Sequence, residues 1–140
     1  KYDLYNESGD GINEDKLLQI IMRDKLTTVS GLENLNLTTI PEMMFAGCSG
    51  LTSIKIPEGI QTIENSAFSQ CSQLSSVIIP KTITKFARAS FATCTSLKTI
   101  YYSGTAEQFA LIEKEGATNY YDAWNEGVPS DYQIIYNYQY

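Results

Sequence analysis

Three cysteines, Cys48, Cys71 and Cys94, are the side chains best suited by type to do chemistry, and they are evenly spaced along the chain. A structural zinc site takes about four Cys or His ligands, with close pairs such as C-x-x-C. Isolated thiols in a chain with no histidine do not supply that set. The missing histidine also removes the commonest general base and the usual partner of a Ser or Cys nucleophile. An odd cysteine count does not close a disulfide framework, and small buried thiols are expected. Carboxylate pairs remain, Glu113 with Glu115 and Asp122 with Glu126. They fall on helix or loop in a chain of net charge -6, where a solvated surface is expected rather than acid–base work. Asn6-Glu7-Ser8-Gly9-Asp10-Gly11 places oxygens and a glycine as a calcium loop does, but position twelve is Leu17 instead of a bidentate Glu. A polar lead-in is expected there. Asn6-Glu7-Ser8 and Asn36-Leu37-Thr38 match the N-glycosylation triplet, a frequent chance match. No catalytic, metal or cofactor site is expected, and no enzyme activity.

The cysteine step, about 23 residues, is of the length that marks a repeat architecture, and it runs through the apolar residues as well. Phe45, Phe68 and Phe91 keep it, as do Leu51, Leu74 and Leu97; Ile54, Val77 and Ile100; Leu37, Ile60 and Ile83; and Ile40, Ile63 and Phe86. Pro57 aligns with Pro80. An earlier, less regular unit, Leu26-Thr27-Thr28-Val29, precedes Leu51-Thr52-Ser53-Ile54 by a slightly longer step, with the extra length around Ser30 to Asn34. Such a period predicts a solenoid, in which a coil cannot bury its apolar face alone and stability comes from neighbours.

Within a coil, Ile54-Lys55-Ile56 alternates as a half-buried strand does. Leu51, Ile54 and Ile56 then point inward and Ser53 and Lys55 outward. Pro57 ends the strand because it has no N–H to donate. Ile60 and Ile63 aim inward from a second extended leg. Asn65 or Ser66 then starts a short helical turn carrying Ala67 and Phe68, and Cys71 closes the coil. A cap helix is expected over Asn13 to Asp24, with Leu17, Ile20 and Ile21 as its apolar face. At the other end Thr105 is expected to cap a helix over Ala106 to Lys114, with Phe109 and Ile112 facing in. A Gly- and Tyr-rich loop follows to Pro129, and Tyr132 to Tyr140 alternates as an edge strand would. The reading is one domain: residues 1–25 as polar lead-in and helical cap, 26–103 as repeats, and 104–140 as C-terminal cap.

Charge narrows the partners. A net charge of -6 and a pI near 4.5 oppose binding to nucleic acid, which needs clustered Lys and Arg. No apolar run approaches the roughly 18 residues of a membrane span. The chain starts at Lys1 without a basic-then-apolar signal segment, which leaves open whether one has been removed. The ten tyrosines concentrate late, from Tyr101 onward.

The coil spelled by Ile56, Pro57, Ile60, Ile63, Ala67, Phe68, Cys71, Leu74, Val77, Ile79 and Pro80 resembles the BspA-like leucine-rich repeat. Tyr101-Tyr102-Ser103-Gly104-Thr105 with Gln108, Phe109 and Ile112 resembles that family's closing motif, with Phe109 in place of Trp. The resemblance implies an α/β solenoid, a right-handed leucine-rich-repeat superhelix with a parallel concave sheet and short helical turns. It implies about four coils, each of roughly 23–25 residues, plus N- and C-terminal caps. Two positions depart from the pattern. Glu64 and Ala87 stand where Gly often precedes the turn, and Gly59 or Lys81-Thr82 stands where related repeats carry Asn, so no asparagine ladder is expected. The family is linked to secreted or surface proteins of host-associated bacteria and some protists, and to adhesion to host proteins. It has no common catalytic residues. What this implies is a module binding a protein partner, such as a host surface or matrix protein; strand alternation sets Ser53, Lys55, Ser76, Ile78, Thr99 and Tyr101 outward, as the expected contact residues of the concave face. Alternatives are a passive stalk of a larger surface protein and a glycan binder using the tyrosines. In the plainer reading of the face, Ile78 merely suits a strand and Tyr101 is covered by the closing segment near Tyr136.

Overall fold

Strand alternation and the prolines that stop it generate the first leg of each coil. In the structure, a computed structural model that describes residues 2–3, 25–116 and 123–139, this leg appears as β2 (Val29–Ser30), β4 (Ser53–Lys55), β6 (Ser76–Ile79), β8 (Thr99–Tyr102) and β10 (Gln133–Ile135). The second leg gives β3 (Thr39–Ile40), β5 (Thr62–Ile63), β7 (Lys85–Phe86) and β9 (Glu113–Lys114). Strands β4, β6, β8 and β10 form one parallel sheet, and β3, β5, β7 and β9 form another. β2 pairs instead with β1 (Tyr2–Asp3). The expected cap helix over Asn13 to Asp24, the calcium-like loop, Asp122, Tyr120, Tyr121 and Tyr140 lie outside the described residues.

The registers keep the step seen in the sequence: Ile54 opposes Val77, Val77 opposes Ile100, and Ile63 opposes Phe86. The inward columns are buried, with Leu51, Leu74, Val77, Leu97, Ile100, Ile63 and Phe86 all at zero exposure. Leu37 is the weaker member of its column, only partly buried against the core.

The third leg corrects the expectation of helical turns. No helix covers residues 65–70; the segment is a run of turns. Ala67, Ser69 and Cys71 donate to Glu64, Ser66 and Phe68 at 3.2, 3.1 and 3.3 Å, each three residues back. Between them Ser66, Phe68 and Gln70 donate to Arg88, Ser90 and Ala92 of the next coil at 3.0, 2.8 and 2.8 Å. An α-helix spends its amide groups within itself, and here half of them are needed for the neighbour. Ser66 and Gln70 take the left-handed conformation, φ 56° and 62°, which breaks any helix. Met43 and Ala89 repeat the first position, and Gly47 and Thr93 the second. For Thr93, a β-branched residue, φ 61° is costly; its N–H donates to Glu126 O at 2.6 Å, which holds it there.

Aromatic rings and thiols fill the space behind this leg. Phe45 stacks on Phe68 with centroids 5.3 Å apart, and Phe68 on Phe91 at 5.1 Å. All three cysteines are buried and outside any disulfide, as their register implies. The Cys71 thiol donates to Phe45 O and the Cys94 thiol to Phe68 O, both at 3.1 Å. The thiol thus ties one coil to the preceding one, as a second donor to a carbonyl that already accepts a backbone N–H. Without an asparagine ladder, Thr82 bridges the loops: its hydroxyl accepts from Gly59 N–H at 3.2 Å and donates to Ile60 O at 2.8 Å.

The C-terminal segment continues the same three legs. Thr105 caps as expected, in a reciprocal box with Gln108. Gly104 before it must lack a side chain, because a Cβ would lie 2.6 Å from Gln108 Oε1 and 2.8 Å from the Tyr102 ring. The helix α1 (Ala106–Ala110), however, stops four residues short of the expected Lys114. Glu113 and Glu115 N–H groups are taken by Thr84 and Phe86 carbonyls at 2.9 Å, so this stretch becomes β9. The Lys114 ammonium closes α1 by donating to Phe109 and Ile112 carbonyls at 2.9 and 3.0 Å, over the Phe109 ring. Partial burial there pushes its pKa down. Lys85 and Glu115 pair at 2.6 Å, which raises the lysine pKa and lowers the carboxylate's. Trp124, a residue the repeat pattern does not flag, ends the aromatic stack: it stacks on Phe86 at 4.7 Å and meets Phe91 edge-on at 6.2 Å. Its carbonyl accepts from Phe91 N–H at 2.7 Å, which carries the third-leg ladder into the final coil.

Two substitutions test this packing. Phe68→Ala opens a cavity inside the ring stack and is expected to cost about 3–5 kcal/mol. Because coils are stabilised through their neighbours, chemical denaturation should still show one transition, shifted as a whole. A midpoint equal to wild type removes the ring stack from the core. Ser90 is fully buried, and its hydroxyl has no hydrogen-bond partner among the described residues. Ala67 fills the equivalent position one coil earlier. Ser90→Ala is therefore expected to raise stability by about 1 kcal/mol, read as a higher denaturation midpoint; a lower midpoint means the hydroxyl has a partner after all.

Candidate functional site

The inward columns leave the alternate residues of the first sheet facing out. The registers set Ser53 beside Ser76, Ser76 beside Thr99, and Thr99 beside Gln133. A second row runs Lys55, Ile78, Tyr101, Ile135. All six residues singled out from the sequence therefore lie on one face, in two rows. Their exposure differs: Ser53 and Lys55 are exposed, whereas Ser76, Ile78, Thr99 and Tyr101 are half-buried. Gln133 and Ile135 extend both rows and were not among the residues picked from the sequence. Their alternation was visible, but β10 carries no repeat motif that would set its register against β8.

Tyr101 is shielded by Tyr138, not by Tyr136. The two rings lie 5.0 Å apart and tilted by 50°. The reason is a bend at Asn137, φ 55°, after which Tyr138 N–H donates to Tyr102 O at 3.0 Å. Tyr136 passes to the other side and meets Tyr102 and Phe109 at 6.5 and 6.1 Å. Tyr102 itself is buried, which pushes its phenol pKa up. Tyr132 packs edge-on to Trp124 at 6.4 Å, and burial raises its phenol pKa too.

At the other end of the Lys55 row the sheet breaks. Gly31, φ 81°, opens a 3-10 turn over Leu32–Leu35 that takes up the extra residues of the first unit. A cleft of about 450 Å³ lies beside it, lined by Val29, Ser30, Gly31, Leu32, Glu33, Lys55, Pro57 and Glu58. The longer step from Leu26 to Leu51 was the sequence signal for this break, though it does not by itself specify a cleft.

Among the described residues no group of three or more His, Cys, Asp or Glu side chains could hold a metal ion. Glu113 is exposed in β9, and Glu115 is engaged by Lys85 and by the Arg88 N–H at 3.3 Å. No helix of the described residues is long and apolar enough to cross a membrane.

The chain is similar to a leucine-rich cell surface protein of Faecalibacterium prausnitzii A2-165 whose crystal structure is known. The two share 41% identity with a TM-score of 0.60, over 63% of this chain and 23% of that one. This chain thus spans under a quarter of the other's length. No protein of curated function matches it. The family model for the BspA type leucine rich repeat region matches residues 16–113 in six copies. That match covers more than half of the sequence, and the chain belongs to the BspA-type leucine-rich repeat family.

Proposed function

We propose that this chain is a non-enzymatic recognition module of a secreted or cell-surface protein, and that it binds a protein partner through the outer face of the first sheet, the concave side of the solenoid. The observation that carries this reading is the pair of rows on parallel strands. Stacking sets a cation, a β-branched apolar side chain and an aromatic ring side by side at Lys55, Ile78 and Tyr101, with Ile135 beyond them. Strand spacing of about 4.8 Å makes this a continuous strip. Aromatic anchors carry much of the energy of protein contacts, and a strip on rigid strands loses little entropy on binding. The named surface protein of Faecalibacterium prausnitzii supports placement at the cell surface. A bacterial source and a host surface or matrix partner rest on the family alone.

A passive stalk is the second reading, and one observation favours it: the Tyr138 ring already covers part of Tyr101. A glycan-binding role for the tyrosines has less support, since Tyr102, Tyr132, Tyr136 and Tyr138 pack against other rings of the cap.

The test is binding of wild type and of a Lys55→Ser/Ile78→Ser/Tyr101→Ser variant to host matrix and mucin extracts, with circular dichroism confirming the fold. A partner retained by wild type and lost by the variant supports the recognition face. A partner held equally by both places binding elsewhere, and no saturable binding to any extract favours the stalk.

A further inference from the structure

The first sheet ends at β10, and the composition of that edge is unusual for an uncovered strand. Among the described residues, in the order β4-β6-β8-β10, the last strand is bonded on one side alone. Gln133 N–H donates to Lys98 O at 2.8 Å. The peptide groups of the alternate residue, Ile134, consequently face away from β8. Free edges are ordinarily blunted by Lys, by Pro or by an inward charge, because a bare row of peptide groups accepts another strand. The run from Tyr132 to Tyr140 contains no charged residue, no Pro and no Gly. Its apolar side chains are also incompletely covered. Ile135 is 43% exposed and Tyr136 36%. Ile134 is only partly buried, whereas Val77 and Ile100 of the same register are fully buried by the coils that follow them.

We propose that β10 is a self-association edge, which pairs antiparallel about a twofold axis with β10 of a second copy of this chain. In a twofold contact the same patch meets itself, so a charged edge repels its own copy. The neutral run removes that cost around the outward peptide groups of Ile134, on a chain whose net charge of -6 otherwise keeps copies apart. Pairing there joins two four-stranded sheets into one and covers Ile134 and Ile135. The contact uses the peptide edge of the last strand, whose Gln133 and Ile135 side chains also lie at the end of the outward rows, so it is read as self-association with no other partner present.

The experiment is sedimentation of the whole chain from about 1 to about 100 µM with no ligand present. Wild type is compared with Ile135→Lys, which sets two ammonium groups near the twofold axis, and with Leu111→Lys. Leu111 is 84% exposed and far from the edge in sequence, and it controls for general apolar association. Gln133→Lys, at an exposed position of the same strand, repeats the test should Ile135→Lys fail to fold. The expected result is a reversible wild-type dimer, weakened about tenfold or more by a lysine on β10 and unchanged by Leu111→Lys. A chain that stays monomeric throughout, a dimer that survives the β10 lysines, or one lost equally with Leu111→Lys overturns the proposal.

Discussion

Backbone hydrogen bonding from each coil to the next, along three separate legs, is the constraint on which this structure rests. Two legs satisfy it as parallel sheets, and the third as turns whose alternate amide groups reach across to the neighbour. Because all three must stay in phase, the length of a coil is not free to drift. Where the step lengthens, between Leu26 and Leu51, the surplus is gathered into the 3-10 turn after Gly31, and there the first sheet is interrupted. The same demand shortens α1, since the residues beyond it are claimed by β7.

Side chains follow from that arrangement. A position that repeats at every coil meets its own kind above and below, so the phenylalanines stack, and Cys71 and Cys94 each find the carbonyl of a neighbouring coil. Thiols suit the place because they are small, tolerate burial and carry a weak donor. Left-handed residues are tolerated at Ser66, Gln70 and Thr93 because the N–H of each is held by a carbonyl of the next coil. Glycine at Gly47 is one solution for that position and not a requirement.

The outward face inherits the order of the inward one. Strand pairing places its side chains on fixed spacings, so a partner would meet a stiff strip in place of loops that must first be ordered. The last coil enlarges that strip through Gln133 and Ile135 while Tyr138 leans over Tyr101. The proposed recognition face and the cap thus meet in one segment, where Tyr102, Tyr132, Tyr136 and Tyr138 pack against other rings.

The periodic part of the molecule was legible in its sequence: the inward columns, a strand at Ile54-Lys55-Ile56 that the structure sets one residue earlier, the buried cysteines, the Thr105 cap and the outward direction of the six residues in the two rows. These follow from local alternation and from a step that repeats, both of which a single chain displays openly. What tertiary structure decided lies where the decisive partner is distant or the repeat has decayed. Ala67 and Phe68 look like one helical turn, yet the amide groups of their leg are divided between turn and neighbour. Glu113 and Lys114 continue a helical pattern, yet the open edge of β7 takes them as a strand. Trp124 closes the aromatic stack from a segment with no repeat signature, and Ile135 joins the Lys55 row only because β10 docks on β8. In each case a local preference of small size yields to hydrogen bonds and buried area supplied by residues far away in the chain.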